Sequence, residues 1–231
     1  MSYYVFRINY AENFEKIRSE LLINHVLRQG WGTYGMRVDQ GYEVFRDAWR
    51  TEWGTDLSEE AMKTRYYNLS IMTEIQLGDY LIIPKVSVKE DYVCRSFVIA
   101  RCKGTYRFDV LSCVEDFGHI IDVENVFSCS YDKDMNAQKI AQKFTAYQSP
   151  INRVKNSEFI EAVEELVRIH DNEPELFEKE SSDLVEMVSN ATHDSRKIYL
   201  ESIVKNLRSM KNHKFEDIIA ELFEKNGYKL T

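Results

Sequence analysis

Nine residues concentrate most of this chain's capacity for recognition chemistry: Leu27-Arg28-Gln29-Gly30-Trp31-Gly32-Thr33-Tyr34-Gly35. Glycine admits backbone conformations closed to other residues and lets a chain approach a ligand closely. Trp31 and Tyr34 offer π-faces, and Arg28 offers a planar cationic fork. The stretch reads as a loop forming one wall of a pocket for a planar group, a nucleobase above all. Holding a base outside its stack takes aromatic faces above and below, with donors or acceptors around the edge. Trp31 and Tyr34 supply faces, while Arg28, Gln29 and Asp116 supply edge or phosphate contacts. Phe117, in the turn Asp116-Phe117-Gly118, is either a further wall or a packed turn residue. Trp53, in Glu52-Trp53-Gly54, either reaches the pocket or closes a helix end. Arg95 and Arg101 flank Phe97 and Ile99 at period two, as a phosphate track or as solvated strand ends.

Other chemistries find little support. Cys94, Cys102, Cys113 and Cys129 form no C-x-x-C pair and have no histidine at ligand spacing, so no metal site is expected. Reduced cysteines acting as small apolar residues are the plain expectation. No G-x-S-x-G elbow, H-E-x-x-H pair or P-loop occurs, and acidic pairs such as Glu164-Glu165 read as solvated helix surface. No catalytic residue is assigned.

The net charge of −8 is unevenly placed. Residues 1–156 carry 20 Lys and Arg against 21 Asp and Glu, whereas residues 157–231 carry 10 against 17. Phosphate binding depends on local basic clusters, so the near-neutral first part keeps nucleic acid open as a partner. The longest apolar run, Tyr80 to Pro84, is too short to span a bilayer, and Met1-Ser2-Tyr3-Tyr4 opens no signal peptide. The expectation is a cytoplasmic protein with no membrane partner.

The elements that must position these residues follow from periodicity. Tyr4, Phe6 and Ile8 alternate as a half-buried strand, and Phe14, Ile17, Arg18, Leu21 and Leu22 keep helical spacing. Tyr42, Phe45 and Trp49 mark one face of a second helix, with Trp49 as its core anchor and Gly54 as its stop. Ser58-Glu59-Glu60 opens a third, with carboxylates in the positive first turn. From Gly78 the period turns extended: Tyr80 to Ile83, Phe97 to Ala100, Tyr106 to Phe108, His119 to Val123 and Val126-Phe127. Strands gathered after a helical insertion predict a compact mixed barrel. Beyond Asn156 all is helical. Pro174 restarts the chain into 176–188, Asp194 caps a helix with Leu200, Ile203, Val204 and Leu207, and Phe215 to Phe223 form a last amphipathic helix ending at Asn226-Gly227.

Two resemblances attach to these residues. Lys214-Phe215-Glu216-Asp217-Ile218-Ile219-Ala220-Glu221-Leu222-Phe223, with its Gly227-Tyr228 exit, resembles the opening helix of the Mrr-type restriction endonuclease catalytic domain. That family's catalytic Asp and Glu/Gln-x-Lys pair lie on strands further on, so the resemblance implies a chain that continues past Thr231 into a Mg-dependent nuclease. Residues 1–156 are similar to the PUA-like superfamily that includes EVE, ASCH, YTH and SRA modules. The similarity rests on Tyr3-Tyr4-Val5-Phe6, the Gly-Trp-Gly loop, Gly78-Asp79 before an aliphatic strand, and Phe97 to Gly104. It implies an aromatic pocket for a modified base, often one rotated out of the duplex.

The expected architecture is therefore α+β. A PUA-like mixed β-barrel with helical insertions occupies 1–156, a helical connector 157–210, and the first helix of a nuclease domain 211–231. The expected function is the DNA-binding module of a modification-dependent restriction endonuclease of the type IV kind. Its partner is double-stranded DNA carrying a modified base; the chain itself has no cofactor, and its C-terminal helices offer a homodimer contact. A YTH-like RNA reader of a methylated base and a protein-interaction module are the competing classes; loss of affinity on removing 2′-hydroxyls marks the former.

Overall fold

The computed structural model describes residues 1–8, 15–33, 35–54, 57–86, 88–89, 92–93, 95–109 and 116–209. The chain divides into two compact units, Met1–Ser189 and Asn190–Thr231. The first is a mixed α/β structure built on a curled, half-closed sheet.

Strand β1 (Tyr3–Phe6) lies inside that sheet. After helix α1 (Glu15–Ser19) and a π-helical turn (Glu20–Asn24) comes β2 (Val26–Gln29). Helices α2 (Tyr42–Trp53) and α3 (Glu59–Ser70) form the insertion, and β3 (Tyr80–Pro84) resumes the sheet. A two-stranded hairpin of β4 (Val88–Lys89) and β5 (Tyr92–Val93) stands apart from it. β6 (Ser96–Cys102), β7 (Arg107–Phe108) and the long β8 (His119–Ser130) follow. Helix α4 (Met135–Lys143), β9 (Ile151–Arg153), α5 (Ser157–Asn172) and α6 (Glu175–Ser209) complete the order. The sheet path is β2-β8-β6-β3-β1-β9, with β7 also on β8. Among the described strands only β1 and β3 pair in parallel, in the register Tyr3–Tyr80 and Val5–Ile82.

The sheet curls at a bulge. Between Ile99 and Arg101 on β6 the register slips against Glu124 and Phe127 on β8. Asn125 there takes φ +49°, a left-handed conformation that asparagine tolerates better than most residues. Past the bend, residues 119–122 of β8 leave β6 and pair with β2 and β7.

Alternation along β1 does not leave one face wet, as the sequence alone predicts. Tyr4 and Phe6 pack with Leu21, Leu27, Met72 and Ile121 on one side of the sheet. Tyr3 and Val5 pack on the other with Ile140 and Phe144, and with Phe159, Val163 and Leu166 of α5. A strand with neighbours on both edges and helices over one face buries all four residues. The insertion has its own cluster of Met36, Val38, Phe45, Trp49, Met62 and Leu69. Ser58 caps α3 by accepting the Ala61 amide at 3.2 Å, as its position predicts, and Asn156 caps α5 through the Phe159 amide at 2.9 Å.

Three readings of the chain are corrected. β9 and α4 sit in a stretch where periodicity marks nothing, because each is short and flanked by polar residues. Beyond Pro174 there is one helix of 35 residues where the sequence predicts two, so Asp194 lies inside α6 rather than at an N-cap. Leu27, Arg28 and Gln29 belong to β2 rather than to a loop. Among the described residues, no helix is long and apolar enough to cross a membrane. The helix expected over 214–226 lies outside the described residues.

Candidate functional site

Membership of β2 decides what Arg28 and Gln29 can do. Pairing Arg28 with Ile120 and Gln29 with His119 draws both side chains into the protein, where they are almost fully buried. The Arg28 guanidinium donates from Nε to the Glu20 carboxylate and from Nη1 to the Phe117 carbonyl at 3.1 Å. It thereby braces the segment ahead of β8 against the π-helical turn. The Gln29 amide donates to the Arg7 carbonyl at 3.0 Å and accepts the Gly30 N–H at 3.1 Å.

Beyond β2 the chain is clamped to the segment entering β8. Gly32 donates to the Asp116 carbonyl at 2.6 Å, and Gly118 donates back to the Gly32 carbonyl at 2.9 Å. Side chains have no room between these backbones. A Cβ on Gly118 would lie 2.2 Å from the Gly32 oxygen, and one on Gly32 would lie 2.6 Å from the His119 ring. The two glycines are therefore required by contact. Trp31, between Gly30 and Gly32 at φ +59°, donates its backbone N–H to the Asp116 carboxylate at 3.0 Å.

His119, completely buried, locks the turn from below. Its Nε2 lies 3.0 Å from the Trp31 carbonyl and its Nδ1 2.9 Å from the Tyr106 hydroxyl. These partners assign a neutral ring with Nε2–H donating to the carbonyl and Nδ1 accepting from the tyrosine. Desolvation pushes its pKa down to about 4, against the smaller upward pull of the Trp31 carbonyl and the Asp39 charge.

Four of the residues singled out in the sequence, Gln29, Trp31, Asp116 and Phe117, line one cavity of about 390 Å³. That is near the lower end of the range for small-molecule sites. Arg7 and Ile8, just past β1, and Gln148 and Pro150, just before β9, complete its wall. The Arg7 Nη1 donates to the carbonyls of Phe144 and Tyr147, at 3.4 and 2.6 Å, which fixes that side. Polar edges and apolar faces therefore meet in a space suited to a small planar molecule.

The other predicted residues lie elsewhere. Arg28 stands behind the cavity wall with its fork already occupied. Trp53 ends α2, packs edge-on against Trp49 at 4.2 Å and does not line the cavity. Arg95 is exposed and pairs with Asp132 at 3.3 Å. Arg101 is exposed beside Gly78, next to the β3 end of the sheet rather than the cavity. Tyr34 lies outside the described residues.

Trp31 faces two ways. It lines the cavity, and it also packs against the insertion's cluster, where the Arg65 guanidinium lies 5.0 Å from its ring centre and 4.7 Å from that of Trp49. Sequence reading missed Arg7, Arg65, His119 and Gln148. His119 alone had a signal, since an imidazole in an aliphatic strand run must find a partner when buried. The others reach the site only through pairings of segments far apart in the chain.

Compared with known proteins, the chain matches no family model and no curated sequence. Among the described residues, no three His, Cys, Asp or Glu side chains are grouped to hold a metal. The class of structure defined here is thus a curled mixed sheet with a helical insertion and a single clamped, glycine-lined turn at its cavity.

Proposed function

We propose that residues 1–156 form a PUA-like reader that takes a modified base, rotated out of duplex DNA, into the cavity beside Trp31. The chain then serves as the specificity part of a modification-dependent restriction endonuclease. Cutting belongs to an Mrr-type, Mg-dependent domain that residues 211–231 begin. One observation carries the reading: Gln29, Trp31, Asp116 and Phe117 share a single cavity although two different segments supply them. A flipped base costs a few kcal/mol of stacking and pairing, which the site recovers through aromatic contact and edge hydrogen bonds. Here Asp116 and Gln29 are the edge groups, and Phe117 and Trp31 are the walls. The backbone clamp holds these walls in place before any ligand arrives.

The test is a titration of the whole chain with plain duplexes and duplexes bearing 5-methylcytosine, 5-hydroxymethylcytosine or N6-methyladenine. One of the modified duplexes is expected to bind more tightly than the plain one. Trp31→Ala should then lose about 1–3 kcal/mol of that binding, the usual contribution of a base–aromatic stack. Equal affinity for every duplex, or a Trp31→Ala variant that binds as the wild type does, sinks the reading. Selective binding of single-stranded RNA instead, abolished by 2′-deoxy substitution, would move the chain to the RNA-reader class.

A further inference from the structure

Arg65, on α3 of the insertion, is set apart from most arginines of this chain by its surroundings. Arg28, Arg37, Arg50 and Arg107 each hold a carboxylate. Arg65 is half-buried between the indoles of Trp31 and Trp49 and has no carboxylate partner among the described residues. Burial accordingly lowers its pKa with no acid to offset it. Two indoles within about 5 Å of the guanidinium restrict its position, yet their attraction for a cation is small beside that of an anion. The charge is held in place, and its hydrogen-bonding edge is not taken by any acid among the described residues.

We infer that Arg65 is the phosphate contact of the base cavity, supplied by the helical insertion across the Trp31 ring. The inference rests on the base-reading proposal and adds the residue that holds the strand. A nucleotide's phosphate lies one sugar away from its base; Arg65 lies one indole away from the cavity that Trp31 lines. Arg65 does not itself line the cavity but packs on Trp31, which does; Arg95 and Arg101, the strand arginines that periodicity nominates for this role, lie instead beside Asp132 and Gly78. A planar fork suits phosphate oxygens better than a lysine point charge would.

Salt dependence reads this role directly. Each phosphate contact adds about 0.9 to the slope of log affinity against log salt. In Arg65→Gln that slope, measured on the modified duplex that the wild type binds most tightly, from 50 to 200 mM salt (roughly the range over which such slopes are usually compared), should fall by about one unit. Arg65→Met, whose thioether can still pack between the indoles, should behave alike, and Arg65→Lys should keep the wild-type slope. Arg95→Gln and Arg101→Gln should leave it unchanged. A slope identical to wild type in both neutral variants overturns the inference, even if preference for a modified base declines, because Arg65 then only supports Trp31. Failure of the wild-type chain to bind any duplex overturns the base-reading proposal and this inference with it.

Discussion

His119 sits in a strongly perturbed environment beneath the turn. Its imidazole is neutral when folded, with a pKa pushed down to about 4, whereas in the unfolded chain it titrates near 6.5. Between those values the unfolded state binds more protons, so stability from this group is complete above about pH 6.5 and is lost as pH falls toward 4. The contribution is on the order of 3 kcal/mol over that window. His119→Gln can still donate to the Trp31 carbonyl and cannot titrate. Urea melts at several pH values should show the wild type weakening between pH 6.5 and 4 more steeply than His119→Gln. Parallel pH profiles would show that the ring is hydrated or already charged in the folded protein. Trp31 itself was legible as a special residue because two glycines flank it. Its partner Arg65 was not, since a lone arginine on a polar helix reads as solvated until the fold packs it against two indoles.

At the scale of elements, the decisive unit is the pair of backbones at 30–33 and 116–119. Gly118→Ala would place a methyl 2.2 Å from the Gly32 carbonyl, and that oxygen cannot retreat without breaking the clamp. Overpacking of this kind costs about 1–3 kcal/mol and sometimes more. Thermal melting should record a lower transition, and base-dependent binding should fail even where the variant is folded. A Gly118→Ala protein with wild-type stability and binding would mean that the two segments separate freely. Sequence reading found the two ends of this unit separately, as a Gly-Trp-Gly stretch and an Asp-Phe-Gly turn. Nothing in either stretch announces the other, because their contact is made by β2 and β8, neighbours in the sheet that lie far apart in the chain. The same distance effect hid Arg7, Gln148 and Pro150. Helices α2 and α5 were legible from their amphipathic faces and α3 from the acidic first turn after Ser58; short β9 and the polar-flanked α4 were not, since their burial is decided by what packs on them.

For the whole molecule, α5 and the start of α6 are part of the first unit's core. Phe159, Val163, Leu166 and Phe177 cover the sheet face formed by Val5, Ile99 and Phe127. A fragment ending at residue 156 would leave those side chains facing water, and that loss exceeds what a small core can spare. Residues 1–156 alone are expected to show no cooperative thermal transition, while residues 1–189 should melt as a unit. A sharp transition in the shorter fragment would make α5 dispensable. The position of β1 has a further consequence, for synthesis on the ribosome. β1 sits between β3 and β9, so one of its edges can close once residues 80–84 are made, but the other waits for residues 151–153. At about 5–20 residues per second, the interval between β1 and β9 is roughly 7–30 seconds. Throughout that time a short strand of four apolar and aromatic residues keeps one edge of amides unpaired, open to any neighbouring nascent chain. Translation speed ahead of residue 150 therefore sets how long that edge waits for its partner.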